Sequence, residues 1–331
     1  MNKGLFEHMK ESLGMGKKEE REEKHTFSLH EIEKITIDAC AIDIFIDAHE
    51  SSETHLTFKT FEDGPEMEIE EADDALTIRV TQVPKTFHWN MQKAILTMKV
   101  PPSVAKAWEI RSTSRKVRLR DIDTTVLDIR ISSGAIDCKT IQADTIHVKA
   151  SSGDIKMNQI AAKSLNASVS SGSVDLLNVH CDHLSSSSTS GNNDVQSVVC
   201  KIGVLECSSG RVSCNQSQIG QATFRCNSGM TQLRDVSFGE LTSTITSGDF
   251  HAHDISMDHA YIEGSSGNIF ASLHPTMDNF TIDGVTSSGN VHVDAPISFD
   301  NQRGNHVKGM VGTGEKQLLF KATSGNIQVR K

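Results

Sequence analysis

The stretch "HAHDISMDH", residues 251 to 259, brings three histidines and two carboxylates together. Two imidazoles two residues apart with an acid beside them are one way to hold a divalent metal, so His251, His253 and Asp254 are the candidate ligands, with His259 nearby. On a strand, His251 and His253 would leave the same face. The neighbouring positions are polar, and ordinary solvated side chains are the simpler account. The expectation is therefore a chain without metal or cofactor.

A second stretch, "GMVGTGEK" at 309 to 316, comes near a phosphate-binding loop. Glu315 stands where lysine should follow the last glycine, and no strand-to-helix context surrounds it, so that reading is rejected. Hydrolysis or elimination needs converging acids, bases or nucleophiles. No such set is legible, and no catalytic residue is assigned.

The elements that carry these residues are set by a repeat. Glycines fall at Gly134, Gly153, Gly172, Gly191, Gly210, Gly229, Gly248 and Gly267, each 19 residues after the last and each preceded by serine. Counting from glycine, positions two, four, seven, nine, 12, 14 and 16 are mostly apolar, as in Val174, Leu176, Val179, Cys181 and Leu184. Steps of two mark strands, while the longer gaps mark bends. One rung of three short strands has nowhere to bury its apolar side, whereas stacked rungs enclose a shared core. The fold class expected is all-β: a single-stranded parallel β-helix, or β-solenoid, with 19-residue rungs and a short N-terminal helix. Right-handed coiling is expected because parallel crossovers have that hand. These glycines are then structural corners rather than a repeated site.

Two further columns follow from this phase. Asp144, Lys163, Asp182 and Lys201 occupy position ten in successive rungs, placing opposite charges side by side. Cys181 and Cys200 share a column, as do Cys207 and Cys226. Buried free thiols acting as small hydrophobes are the expected state.

Four regions are expected: 1-24, an amphipathic helix and charged linker; 25-112, irregular opening rungs and cap; 113-295, the regular solenoid; and 296-331, a loop and C-terminal rung. Leu5, Phe6, Met9 and Leu13 fall at helical spacing and form a docking face. This face could plug the solenoid core, make a peripheral contact with a membrane or protein through residues 1-15, or remain disordered.

A formal charge of -10 disfavours nucleic acid as a partner. No apolar run is long enough for a transmembrane segment. Seven cysteines without a Cys-x-x-Cys pair, and no secretory h-region, point to reduced thiols and a cytoplasmic address, with envelope association as the alternative.

The recurring "SSGxI", the opening "ITID…IDIFI", "VPPSV" at 100 to 104 and the closing "GTGEKQLLFKATSGNIQV" resemble a bacterial β-strand-repeat family named for adhesion, DUF4097, over about residues 30 to 331. The resemblance implies a non-catalytic solenoid and, as in some Gram-positive members, a link to the envelope stress response. It supplies no catalytic residues. The function expected is a scaffold or interaction protein, adhesin-like, contacting an unidentified protein or glycan. The alternative is a carbohydrate-active β-helix enzyme, a polysaccharide lyase or hydrolase. The unbroken glycine spacing argues against long groove-forming loops.

Overall fold

The structure is a computed structural model that describes residues 19-29, 31-82, 93-113 and 115-331. Among the described residues the chain is all β, with 21 strands and no helix. It divides into two compact units, residues 1-142 and 143-331.

The docking face proposed for Leu5, Phe6, Met9 and Leu13 lies outside the described residues. The charged run after it is not a linker throughout: Glu20 to Lys24 belong to strand β1 (Glu20–Phe27), antiparallel to β4 (Thr54–Phe61). Backbone pairing tolerates charged side chains where they are solvated, and charge on an edge strand discourages further pairing.

The first unit also contains β2 (Ile32–Ala39), β3 (Asp43–Ala48), β5 (Glu66–Ala72), β6 (Ala75–Thr81), β7 (Ile95–Val100), β8 (Ala105–Ser112) and β9 (Lys116–Ser133). The division between units falls within β10 (Ala135–Ser152). β2 pairs in parallel with both β6 and β8, and β3 with both β7 and β9. The first rung in the sequence is thus the middle rung in space. β4 runs antiparallel to β7, and β5 folds back on β6. Ile35, Ile37, Ile44, Ile46, Leu96, Met98 and Trp108 fill the core between these sheets.

The second unit continues with β11 (Ile155–Ser171), β12 (Val174–Ser190), β13 (Asn193–Asn215), β14 (Gln218–Ser266) and β15 (Ile269–Leu273). Neighbouring rungs pair in parallel with an offset of 19 residues, as in Leu176↔Val195 and Val179↔Val198. Between β12 and β13 the register omits Asn178, Asp182 and Thr189, which mark the three bends of a rung. Val174, Leu176, Val179, Cys181 and Leu184 are all buried, matching the apolar columns.

Glycine is required at one bend. Gly210 has φ +134°, and a Cβ there would lie 2.1 Å from the Gly191 carbonyl oxygen of the rung below. The second bend is left-handed without glycine: Thr140, Gln159, Asn178, Ser197, Gln216, Asp235 and Asp254 have φ between 48 and 58°. All seven are polar and six lack a branch at Cβ, Thr140 being the exception, in keeping with the poor fit of β-branched side chains to this conformation.

The region expected to hold a loop and then a terminal rung is arranged differently. After β16 (Phe280–Ser288) and β17 (Val291–Asp294), the chain forms a hairpin of β18 (Ser298–Arg303) and β19 (His306–Val311), with β19 antiparallel to β16. β20 (Lys316–Ser324) then pairs in parallel with β14 on one side and β16 on the other. β21 (Ile327–Arg330) likewise lies between β15 and β17. The last rung of the sequence is inserted into the stack and does not end it. The outer position goes to an antiparallel hairpin, which covers the β16 edge that parallel rungs would leave open.

Candidate functional site

The three candidate metal ligands do not converge. His251 and His253 lean over the Phe270 ring, at centroid distances of 6.2 and 5.0 Å, and the Arg330 guanidinium lies 4.8 Å from the same centroid. Partial burial, followed by the charges of Arg234, Arg330 and His251, holds the His253 imidazole below its ordinary value. Asp254 occupies the left-handed bend, with its Oδ1 4.0 Å from His274 Nε2. Among the described residues no three His, Cys, Asp or Glu side chains form a metal-sized cluster. His259 lies apart, opposite Gln317.

The corner glycines belong to a network that closes on itself. The residue after several of the glycines bonds across rungs: Ser173 N–H donates to Asp154 Oδ1 at 3.0 Å, and Asn268 N–H to Asp249 Oδ1 at 2.7 Å. Asn326 N–H donates to Asn268 Oδ1 at 3.1 Å, and Asn290 N–H to Asn326 Oδ1 at 3.0 Å. Three residues before the glycine, Ser188 Oγ and Cys207 Sγ donate to the Gly172 and Gly191 carbonyls. These contacts satisfy backbone groups at the bend and leave the corner little unused polar capacity. The charge column is also present, with Lys163–Asp144 at 2.9 Å and Lys201–Asp182 at 2.8 Å.

The apolar columns are interrupted at one buried point. Asn193 takes the position held by Val174 and Val212 in the neighbouring rungs; its Oδ1 accepts from Ser186 Oγ at 2.6 Å and its Nδ2 donates to the Ser186 carbonyl at 2.8 Å. Both residues are fully buried, so the pair satisfies itself inside the core.

The inserted rung creates a surface that the sequence does not announce. A cleft of about 420 Å³ in the second unit is lined by β14, β16, β19 and β20. Two rows cross it: His259, Gln317 and Thr281 in one, and Tyr261, Leu319, Asp283 and Lys308 in the next. The side chains of Leu241, Ala260, Ile282 and Leu318 turn to the core, so the backbone between the two rows forms its floor, and Glu240 stands at one side. Tyr261, the sole tyrosine, donates its hydroxyl to Glu263 Oε2 at 2.9 Å, and Lys321 Nζ lies 5.3 Å from its ring centroid. The Glu263 carboxylate raises the phenol above its ordinary range. His259, Gln317 and Lys308 make no side-chain hydrogen bond or ion pair among the described residues. An aromatic ring and the Leu319 side chain beside uncommitted polar groups can hold a hydroxyl-rich ligand by ring stacking and hydrogen bonds.

The profile of the family described as "Toastrack DUF4097" matches residues 32-164 and 159-330. The chain belongs to this family. The Toastrack resemblance in the corner motif is thus carried by nearly all of the two units. Solved structures similar to the chain include a candidate adhesin from Parabacteroides merdae, at 12% identity and TM-score 0.44, covering 76% of this chain and 96% of that one. A candidate adhesin from Bacteroides fragilis has 12% identity and TM-score 0.38, covering 93% and 97%. A candidate lipid-binding protein from Parabacteroides distasonis has 13% identity and TM-score 0.36, covering 94% and 97%. No curated protein matches the chain. No helix among the described residues is long and apolar enough to cross a membrane.

Proposed function

We propose that this Toastrack chain is a non-catalytic binding module of the bacterial cell envelope that takes a glycan on the cleft around Tyr261. The single observation that carries this reading is the meeting of Tyr261 and Leu319 with the uncommitted His259, Gln317 and Lys308 on one sheet face. Pyranose rings present C–H faces to an aromatic side chain and hydroxyls to amide, imidazole and ammonium groups. The setting at the envelope rests on the family resemblance. A non-catalytic role is supported by the unbroken 19-residue spacing from Gly153 to Gly267, which leaves no long loop beside those rungs, and by the divergence of His251, His253 and Asp254.

The test is co-sedimentation of the full chain with purified bacterial cell-wall polysaccharide, with reducing ends assayed in the same tubes. Retention without new reducing ends is expected. Release of reducing ends would replace the binding module with the carbohydrate-active enzyme, and absence of retention would move the partner to a protein.

A further inference from the structure

We propose that Cys181 and Cys200 form a cross-rung disulfide when the folded protein meets a low-molecular-weight disulfide oxidant. The two residues are in register on adjacent parallel strands. Such neighbours place their Cα atoms about 4.8 Å apart, inside the range of about 4.4 to 6.8 Å that a disulfide spans. Both are free thiols, 4% and 6% exposed, one residue inside the bend that carries Asp182 and Lys201. That bend is held at its surface by the exposed Lys201–Asp182 pair, whose breakage costs little. An oxidant therefore approaches through the outermost layer of the rung.

The other stacked pair is committed elsewhere. Cys207 and Cys226 are also in register, but Cys207 Sγ donates to the Gly191 carbonyl at 3.2 Å and Cys226 Sγ to the Gly210 carbonyl at 3.9 Å. Burial pushes the Cys226 thiol up to about 11, and the Cys138 and Cys214 thiols up to about 12. Within the first pair the Cys200 thiol donates to the Cys181 sulfur, which lowers Cys181 toward the thiolate and raises Cys200, so Cys181 is the attacking member and Cys200 keeps its proton until the Cys181 sulfur is capped. The thiolate is the attacking species in exchange.

The chemistry balances in two steps. The Cys181 thiolate attacks one sulfur of the oxidant, RSSR, forming a mixed disulfide and releasing RS⁻. Cys200 then loses its proton and attacks the Cys181 sulfur, forming the protein disulfide and releasing the second RS⁻. Two protein thiols are oxidised and one small disulfide is reduced to two thiols. The product ties two neighbouring rungs of the second unit and closes the chain between them, which restricts the unfolded ensemble. The folded protein would then be more resistant to unfolding in an oxidising environment than in a reducing one.

The experiment treats the full chain under native conditions with oxidised glutathione, then quenches free thiols, digests without reductant and maps peptides by mass. Expected are a Cys181–Cys200 linked peptide, a mass loss of about 2 Da, a raised Tm, and reversal of both by dithiothreitol. C200A should stop at the glutathione adduct on Cys181, while C207A should oxidise like the native chain; circular dichroism checks that each folds. Linkage of Cys207 to Cys226 first, oxidation only in denaturant, or no change in Tm on oxidation would overturn the proposal.

Discussion

Gly325 stacks directly on Gly267: a Cβ at Gly325 would lie 1.9 Å from the Gly267 carbonyl oxygen, and one at Gly289 would lie 2.1 Å from that of Gly325. The spatial order of the corners is therefore Gly267, Gly325, Gly289, although the sequence runs 267, 289, 325. The asparagine ladder from Asn268 to Asn326 to Asn290 follows the same order. Bifunctional thiol cross-linking tests this order. Ser324→Cys should link with Ser266→Cys or with Ser288→Cys, its partners on either side. A link between Ser266→Cys and Ser288→Cys, formed as readily, would contradict it.

The corner glycines should resist any side chain. Gly210→Ala adds a Cβ 2.1 Å from a backbone oxygen at φ +134°, and a loss of at least about 3 kcal/mol is expected in urea unfolding. Gly264→Ala serves as the control. Its Cβ would meet only Ile269 side-chain atoms, the nearer at 3.7 Å, so its cost should stay within about 0.5 kcal/mol. Equal losses would show that crowding at the bend is not the cause.

The second bend should discriminate by side-chain shape rather than size. Ser197 has φ 54°, so Ser197→Asn should keep its stability. Ser197→Val should lose about 1 to 2 kcal/mol, because a β-branched side chain fits the left-handed region poorly. Comparable unfolding midpoints for the two variants would be inconsistent with this bend.

The buried Asn193 and Ser186 pair should be strongly coupled. Asn193→Ala removes both of the bonds that Asn193 makes with Ser186 and should cost about 2 to 3 kcal/mol. The double variant Asn193→Val with Ser186→Ala replaces the pair by apolar groups and should recover most of that loss. A double-mutant cycle with coupling near zero would mean the two side chains act independently.

His253 gives a pH dependence of defined sign. Its folded value lies below the ordinary 6.5, chiefly through desolvation, so the unfolded chain takes up the proton first as pH falls. The associated stability is complete above pH 6.5 and is lost as the pH falls through the lower folded value. The imidazole resonance should titrate below 6.5, and His253→Gln should remove this share of the acid destabilisation. A midpoint at or above 6.5 would reverse the sign.

Periodicity carried the fold to the reader of the sequence wherever a rung is local. Val174, Leu176 and Val179 are two or three residues apart, and their common burial follows from that spacing alone. The order of the terminal rungs was not legible, because β20 between β14 and β16 is a choice among equivalent parallel edges. The left-handed bend had a signal: the position six residues after the corner glycines from Gly134 to Gly248 is polar, as in Asn178, Asp235 and Asp254, and the signal stops at Leu273. The cleft had almost none. Tyr261, Leu319, Asp283 and Lys308 lie on four strands that adjoin only after the insertion, and only the uniqueness of Tyr261 sets any of them apart in the sequence.

Calorimetric titration of cell-wall polysaccharide into the native chain and into a Tyr261→Ala, Gln317→Ala variant tests the binding role most directly, with urea unfolding confirming that the variant folds. Both substitutions are on the sheet surface, so the fold should persist while affinity falls at least about tenfold. Equal affinity in the native chain and the variant would place the glycan elsewhere and contradict the cleft as its site.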